Sequence, residues 1–190
     1  VDENQKDQLT AIKTSGDTLL VVINDILDLA KIEAGKMTLE KTELKVPDLI
    51  NTVLNTFKLK FEEKEQTLKT NYDKRIPKWL LGDPLRINQI LFNLIGNAIK
   101  FTPSRGSIAV QVNLLKQDTE KVFIEIIVSD SGIGIPKDKI DKIFNLYSQS
   151  SKSTTREYGG SGLGLHIVKQ LIDLMKGTIL VKSNLSIGRM

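Results

Sequence analysis

Leu9, Gly16, Ile23 and Ala30 recur every seven residues, with Ile12, Leu19 and Ile26 interleaved. That spacing predicts a single helix over residues 4–34. Leu20 with Leu27, and Val22 with Leu29, widen the apolar stripe beyond a two-stranded seam, so the face suits a helical bundle. Gly35 is a natural stop, and Lys31 and Lys36 favour the helix C-terminus. One helix cannot bury such a face alone; partner helices come from outside this chain or from a second copy.

After Gly35 the pattern becomes that of a mixed α/β domain. Residues 37–44 alternate like a strand, and Pro47 opens a helix predicted to run to residue 63. Residues 67–72 read as another strand, followed by a turn at Ile76-Pro77. Asp83 caps a long helix over 84–101, with Pro84 at the first helical position, where its missing N–H costs nothing. Residues 108–114 and 122–128 are β-branched alternating runs that predict neighbouring antiparallel strands, joined by a polar connection at Asp118-Thr119-Glu120. Residues 136–144 and 164–176 read as helices and 178–183 as a final strand. Between them, 148–160 is polar and rich in Ser, Thr and Gly, with too few apolar residues to pack.

Composition narrows the function classes. The 190 residues are 40% hydrophobic and 26% charged, the balance of one soluble domain plus a short extra element. The +4 charge is scattered, which leaves no nucleic-acid footprint. With no cysteine and the single His166, disulfides, thiolate metal sites and histidine zinc sites are excluded; the lack of cysteine is in keeping with a reducing compartment. No apolar run approaches the roughly 18 residues needed to span a bilayer, and no signal-peptide pattern opens the sequence.

Three stretches carry candidate chemistry. On the long helix, Asn93, Asn97 and Lys100 sit at i, i+4 and i+7, opposite an apolar face of Ile90, Leu91, Leu94, Ile95 and Ala98. Two carboxamide oxygens and an ammonium in one line suit a magnesium ion and a phosphate chain, since magnesium needs only one or two protein oxygens beside its waters. A solvated polar stripe is the alternative. Second, Asp130-Ser-Gly132-Ile-Gly134-Ile135-Pro136 follows a strand. An ionised aspartate only accepts hydrogen bonds, so it can select an amino-bearing base edge such as that of adenine, and the glycines would let a flat ring approach. An ordinary strand-to-helix turn explains the same residues. Third, Gly159-Gly160-Ser161-Gly162-Leu163-Gly164 precedes a helix, a common setting for phosphate, although glycines can also mark plain flexibility.

Together and in this order, these stretches resemble the sensor histidine kinases of two-component signalling over nearly the whole chain. Asn93–Lys100 resembles that family's N box, Asp130–Gly134 its first glycine box and Gly160–Gly164 its second. Ile143-Phe144-Asn145-Leu146-Tyr147-Ser148-Gln149 resembles the phenylalanine box, with Leu146 and Tyr147 in place of the usual proline and phenylalanine. Residues 23–36 resemble the second dimerisation helix and its exit, in a form common among hybrid kinases.

The resemblance implies an α+β, Bergerat-type two-layer sandwich, a mixed sheet on helices, preceded by one long bundle-forming helix. Residues 1–36 would be the second helix of the dimerisation hairpin, and 37–190 the ATP-binding catalytic domain. It implies ATP and Mg2+ as ligands, with Asn97 on the metal and Asn93 assisting. Lys100 would meet a phosphate and Phe101 would lie beside the nucleotide. Asp130 would accept from the adenine amino group, within a turn formed by Gly132, Gly134 and Ile135. Arg156, Gly160, Gly162, Leu163 and Gly164 would close over the phosphates, the loop over residues 147–160 ordering as they bind. The implied partners are a response-regulator receiver domain and a second copy, through the helical hairpin. The implied setting is the cytoplasmic portion of a membrane-anchored sensor, with membrane contact only through parts outside this chain.

The family's phosphoacceptor is a histidine followed by an acidic residue on the first dimerisation helix, and no such motif occurs here. His166 reads as an ordinary helix side chain. The expectation is a chain that begins inside the hairpin, lacks the final strand after Gly188, and binds ATP without phosphorylating itself. Gyrase-type ATPases and chaperones share the sandwich but carry a glutamate where Asn93 stands. A carboxamide is a poor general base, which favours transfer to histidine over hydrolysis. A nucleotide-binding pseudokinase scaffold is the remaining alternative.

Overall fold

The computed structural model describes residues 2–145 and 162–184. Helix α1 (Glu3–Glu33) opens on a reciprocal cap: Asp2 Oδ1 accepts from Gln5 N at 2.8 Å, and Gln5 Oε1 accepts from Asp2 N at 3.2 Å. It ends where Gly35 takes φ +63°, Lys36 N donating to Lys31 O and Gly35 N to Ile32 O. Leu9, Ile12, Leu19, Leu20, Ile23, Ile26 and Leu27 remain exposed along it.

The rest forms two layers. Strands β2 (Thr67–Tyr72), β4 (Ser107–Gln117) and β5 (Val122–Asp130) form a mixed sheet in the order β2-β4-β5. β2 runs parallel to β4, and β4 antiparallel to β5. Alternation puts Ile108, Val110 and Val112 of β4 inward, where they are fully buried. Against them pack α2 (Val46–Thr56) and α4 (Pro84–Phe101), giving a core that includes Ile50, Val53, Leu91, Ile95, Ala98 and Ile99. α4 begins as expected: Asp83 Oδ1 accepts from Arg86 N at 3.0 Å, while its Oδ2 accepts from Glu40 N at 3.0 Å.

Several sequence expectations need correction. The helix predicted over 47–63 breaks at Phe57 into α2 and α3 (Lys58–Glu63), because the Phe57 ring turns into the core. Only β1 (Thr42–Leu44) of the strand predicted over 37–44 forms, since its partner β3 (Leu80–Gly82) supplies three residues. Met37 is buried elsewhere, against α6 (Gly164–Leu174), whose helix stops two residues short of the expected end. The helix predicted over 136–144 is the single turn α5 (Lys137–Ile140) followed by turns. Residues 178–183 form no strand among the described residues; Ser183 Oγ instead accepts from Ile135 N at 2.8 Å. The apolar face assigned to α4 is shared: Leu91, Ile95, Ala98 and Ile99 meet the sheet side, whereas Ile90 faces a second cluster of Met37, Leu163, Ile167 and Leu171.

Candidate functional site

The carboxamide line on α4 is continuous in the structure, with Asn93, Asn97 and Lys100 all half-buried. Asn93 Nδ2 donates to Gln89 O at 3.1 Å. A carbonyl can only accept, so this bond fixes the amide orientation and leaves Asn93 Oδ1 pointing away from its own helix. That oxygen meets Gly164 at the head of α6, where a Cβ would collide with it. Asn97 makes no side-chain hydrogen bond among the described residues. Burial pushes the Lys100 ammonium below its ordinary value, and its Nζ lies 4.9 Å from the Phe101 ring centroid.

The second stretch closes onto the end of α4. Asp130, the last residue of β5, accepts from Gly132 N through Oδ1 at 2.8 Å, which holds the carboxylate across its own turn. Its Oδ2 has no hydrogen-bond partner among the described residues. Gly132 is buried, and a Cβ there would fall 2.7 Å from Phe101 O, so the turn needs glycine to approach the helix end. Ile133 N donates to the same carbonyl at 3.3 Å. Gly134, at φ +73°, takes the left-handed conformation that a side chain disfavours. Ile135 is half-buried and tied to Ser183.

Leu163, 2% exposed, anchors the head of α6 in the second cluster. No side chain caps this helix N-terminus among the described residues, so its first-turn N–H groups suit an anion. Gly162 precedes it at φ +72°. Arg156 and Gly160, and residues 146–149 of the stretch beginning at Ile143, lie outside the described residues. The described candidates thus lie along α4, with the head of α6 against Asn93 near its middle and the turn after β5 against Phe101 at its end.

Other groups around this junction have no signal in the sequence. Lys64 Nζ donates to the carbonyls of Ile99, Lys100 and Thr102 at 2.8, 3.1 and 3.1 Å, and Gln66 Nε2 to Thr102 O at 2.7 Å. An ammonium and an amide thereby satisfy the negative end of α4, next to Lys100 and Phe101. At the other end of α4, Arg86 Nη1 and Gln89 Nε2 both donate to Asp28 Oδ2 of α1 at 2.9 Å, and Arg86 Nη1 donates to Gln89 Oε1 at 2.9 Å. Asp25, one turn earlier on α1, is buried; that burial, with the Asp28 carboxylate nearby, pushes its carboxyl upward. His166, read from the sequence as an ordinary helix residue, reaches Phe144 O through Nδ1 at 2.7 Å. Most of these partners are remote in sequence, so local pattern cannot reveal them.

A mixed sheet packed on helices is the two-layer α+β arrangement that the sequence resemblance implies. Residues 82–189 match the family described as histidine kinase-, DNA gyrase B-, and HSP90-like ATPase. The autoinducer 2 sensor kinase/phosphatase LuxQ of Vibrio parahaemolyticus is 42% identical over 186 residues, covering 95% of this chain and 21% of the relative. Full-length ShkA, solved in complex with AMPPNP, superposes with a TM-score of 0.75 at 28% identity, over 96% of this chain and 38% of ShkA. The histidine kinase ThkA, solved with the response regulator protein TrrA, superposes with a TM-score of 0.64 at 25% identity, over 93% of this chain and 46% of that one. This chain spans about a fifth of the length of its curated relative. The chain belongs to the histidine kinase-, DNA gyrase B- and HSP90-like ATPase family. No helix among the described residues is long and apolar enough to cross a membrane.

Proposed function

We propose that this domain binds ATP with Mg2+ at the junction of α4, β5 and α6, and presents the γ-phosphoryl group to a histidine supplied by a dimerisation helix. The observation that carries this reading is the Asn93–Gly164 contact, which brings a carboxamide oxygen of α4 to the N-terminal head of α6. Such a pairing of hard oxygen with a helix N-terminus fits a metal-bound triphosphate.

The residues divide the work by chemistry. Asn97, assisted by Asn93, would hold the magnesium, which when bound offsets charge on the phosphate oxygens. Lys100 adds a positive charge that its partial burial keeps from being fully hydrated. Asp130 accepts from the adenine amino group through Oδ2, since Oδ1 is already committed to Gly132. Phe101, Gly132, Gly134 and Ile135 shape the base end, and Gly162, Leu163 and Gly164 the phosphate end. Arg156 and Gly160 are assigned to the phosphates on resemblance alone. In the transfer, an imidazole nitrogen forms the new P–N bond as the bond to the β-phosphate oxygen breaks and ADP leaves. A neutral imidazole needs no strong base, in keeping with a carboxamide at Asn93 rather than the carboxylate that hydrolysis would use.

Residues 1–36 are read as the second hairpin helix and 37–190 as the catalytic domain. The exposed stripe from Leu9 to Leu27 would be covered by a second copy, and the phosphoryl group relayed to a receiver-domain aspartate. Titration calorimetry of the chain with Mg-ATP tests the site. Asn97→Ala is expected to abolish the dependence of affinity on magnesium while leaving adenosine binding intact. Unchanged Mg-ATP affinity would refute the metal assignment. Phosphoryl transfer from γ-labelled ATP to a separately added hairpin, with none to His166, tests the acceptor.

A further inference from the structure

His166 does something that neither its helix position nor the nucleotide reading calls for. Its Nδ1 sits 2.7 Å from the Phe144 carbonyl oxygen. Because that oxygen can only accept, Nδ1 must carry the hydrogen; the neutral ring is then the Nδ1–H tautomer. Phe144 ends the turns that follow α5, and His166 lies in the first turn of α6, two residues past Gly164. One side-chain bond therefore joins the segment after α5 to the first turn of α6, two stretches 22 residues apart in sequence.

α6 does not need this bond to stay in place. Ile167, Val168 and Leu171, all 0% exposed, anchor the helix, and Leu163 fixes its head. The bond's effect falls on the Phe144 end, where α5 is a single turn with no buried residue. The Phe144 carbonyl at that end is held by a ring whose own position is fixed by the helix.

We propose that His166 is a positioning residue for nucleotide binding: its Nδ1–H pins the Phe144 carbonyl and sets the spacing between the segment after α5 and the glycine-lined head of α6. This rests on the nucleotide reading of the α4–β5–α6 junction. It assigns the imidazole a role as a fixed donor, with no part in accepting phosphate.

The geometry supplies its own control. An asparagine amide nitrogen falls close to where Nδ1 lies, whereas a glutamine places its nitrogen nearer the Nε2 position. Mg-ATP and adenosine affinities of the 190-residue chain are measured by calorimetry for the parent, His166→Asn, His166→Gln and His166→Leu, together with nucleotide-free melting curves. The expected result is Mg-ATP affinity near that of the parent for His166→Asn, and about tenfold weaker for His166→Gln and His166→Leu. Adenosine affinity and melting temperature stay within error throughout. Parent-like Mg-ATP binding by His166→Leu overturns the proposal, as does an equal loss in all three variants or a loss that follows a fall in melting temperature. A parent that fails to bind Mg-ATP would instead refute the nucleotide reading itself.

Discussion

The molecule has two apolar clusters built to different rules. The larger, between the sheet and helices α2 and α4, joins Ile50, Val53, Leu91, Ile95, Ile108, Val110 and Val112. The smaller, where α1 meets α6 and α4, has Met37, Leu163, Ile167 and Leu171 at its centre, with Ile32, Ile90 and Leu174 only partly covered. Alongside it run Asp25, Asp28, Arg86 and Gln89. The first resembles a folding core; the second resembles an interface between parts that can separate, being smaller, more polar and dependent on a charge pair. α4 contributes to both, and the candidate nucleotide residues lie on its remaining side. The helix that carries Asn93 and Asn97 is therefore braced by the core and also in contact with α1.

Breaking each cluster separately tests this contrast. Ile95→Ala, at a fully buried position, should cost about 2–5 kcal/mol, read as a lower midpoint of the whole unfolding transition in urea. Leu174→Ala, at the partly covered rim, should cost about 1 kcal/mol and leave the main transition nearly unmoved. Equal losses would mean that the two clusters are one core. Arg86→Met leaves the Asp28 carboxylate shielded from water with Gln89 as its remaining donor across the contact, and should weaken the α1 contact by about 1–3 kcal/mol. A spin-label pair spanning α1 and β4 should report a broader distance distribution in that variant, without loss of sheet signal. An unchanged distribution would remove the charge pair from the contact.

The nucleotide site sharpens the same comparison, because Asp130 closes the core sheet and touches neither α1 nor α6 in the bonds described. Asp130→Asn replaces an acceptor-only group with one that also donates towards the adenine amino group. It should lose about 2 kcal/mol of ATP affinity by calorimetry, with both clusters intact in the melting curve. The smallest effect concerns pH. Asp25 has its carboxyl pushed up by burial and by Asp28, so the folded state favours its protonated form. That contribution is complete below the ordinary aspartate value near 4 and is lost as pH rises through the higher folded value. Asp25→Asn should thus melt slightly higher than the parent at pH 7, with the difference closing below about pH 4. A variant less stable than the parent at pH 7 would contradict the assignment.

Where each feature could be read depends on how far apart its causes lie. α4 was legible from end to end: Asp83 caps it, Pro84 starts it, and the apolar period holds to Phe101, all within one contiguous segment. The β4–β5 pairing followed from alternation on either side of a short polar connection. The ordering of carboxamides, aspartate and glycines was equally visible, because each stretch is local. The break at Phe57, the three-residue β1–β3 ribbon and the missing ladder at 178–183 were not, since each depends on a partner tens of residues away.

By itself, then, the sequence determined the helix and strand periods, the turns that need glycine, and the order of the chemically distinctive stretches. Tertiary structure alone decided that Gly132 must lack a side chain because Phe101 O lies beneath it, and that Asn93 shows its oxygen to Gly164. It also decided that Lys64 and Gln66 hold the end of α4 and that His166 ties Phe144 to α6. The physical reason is one of range: backbone preference and side-chain period act over a few neighbouring residues, whereas a hydrogen bond or a steric limit acts on whatever folding brings within about 3 Å.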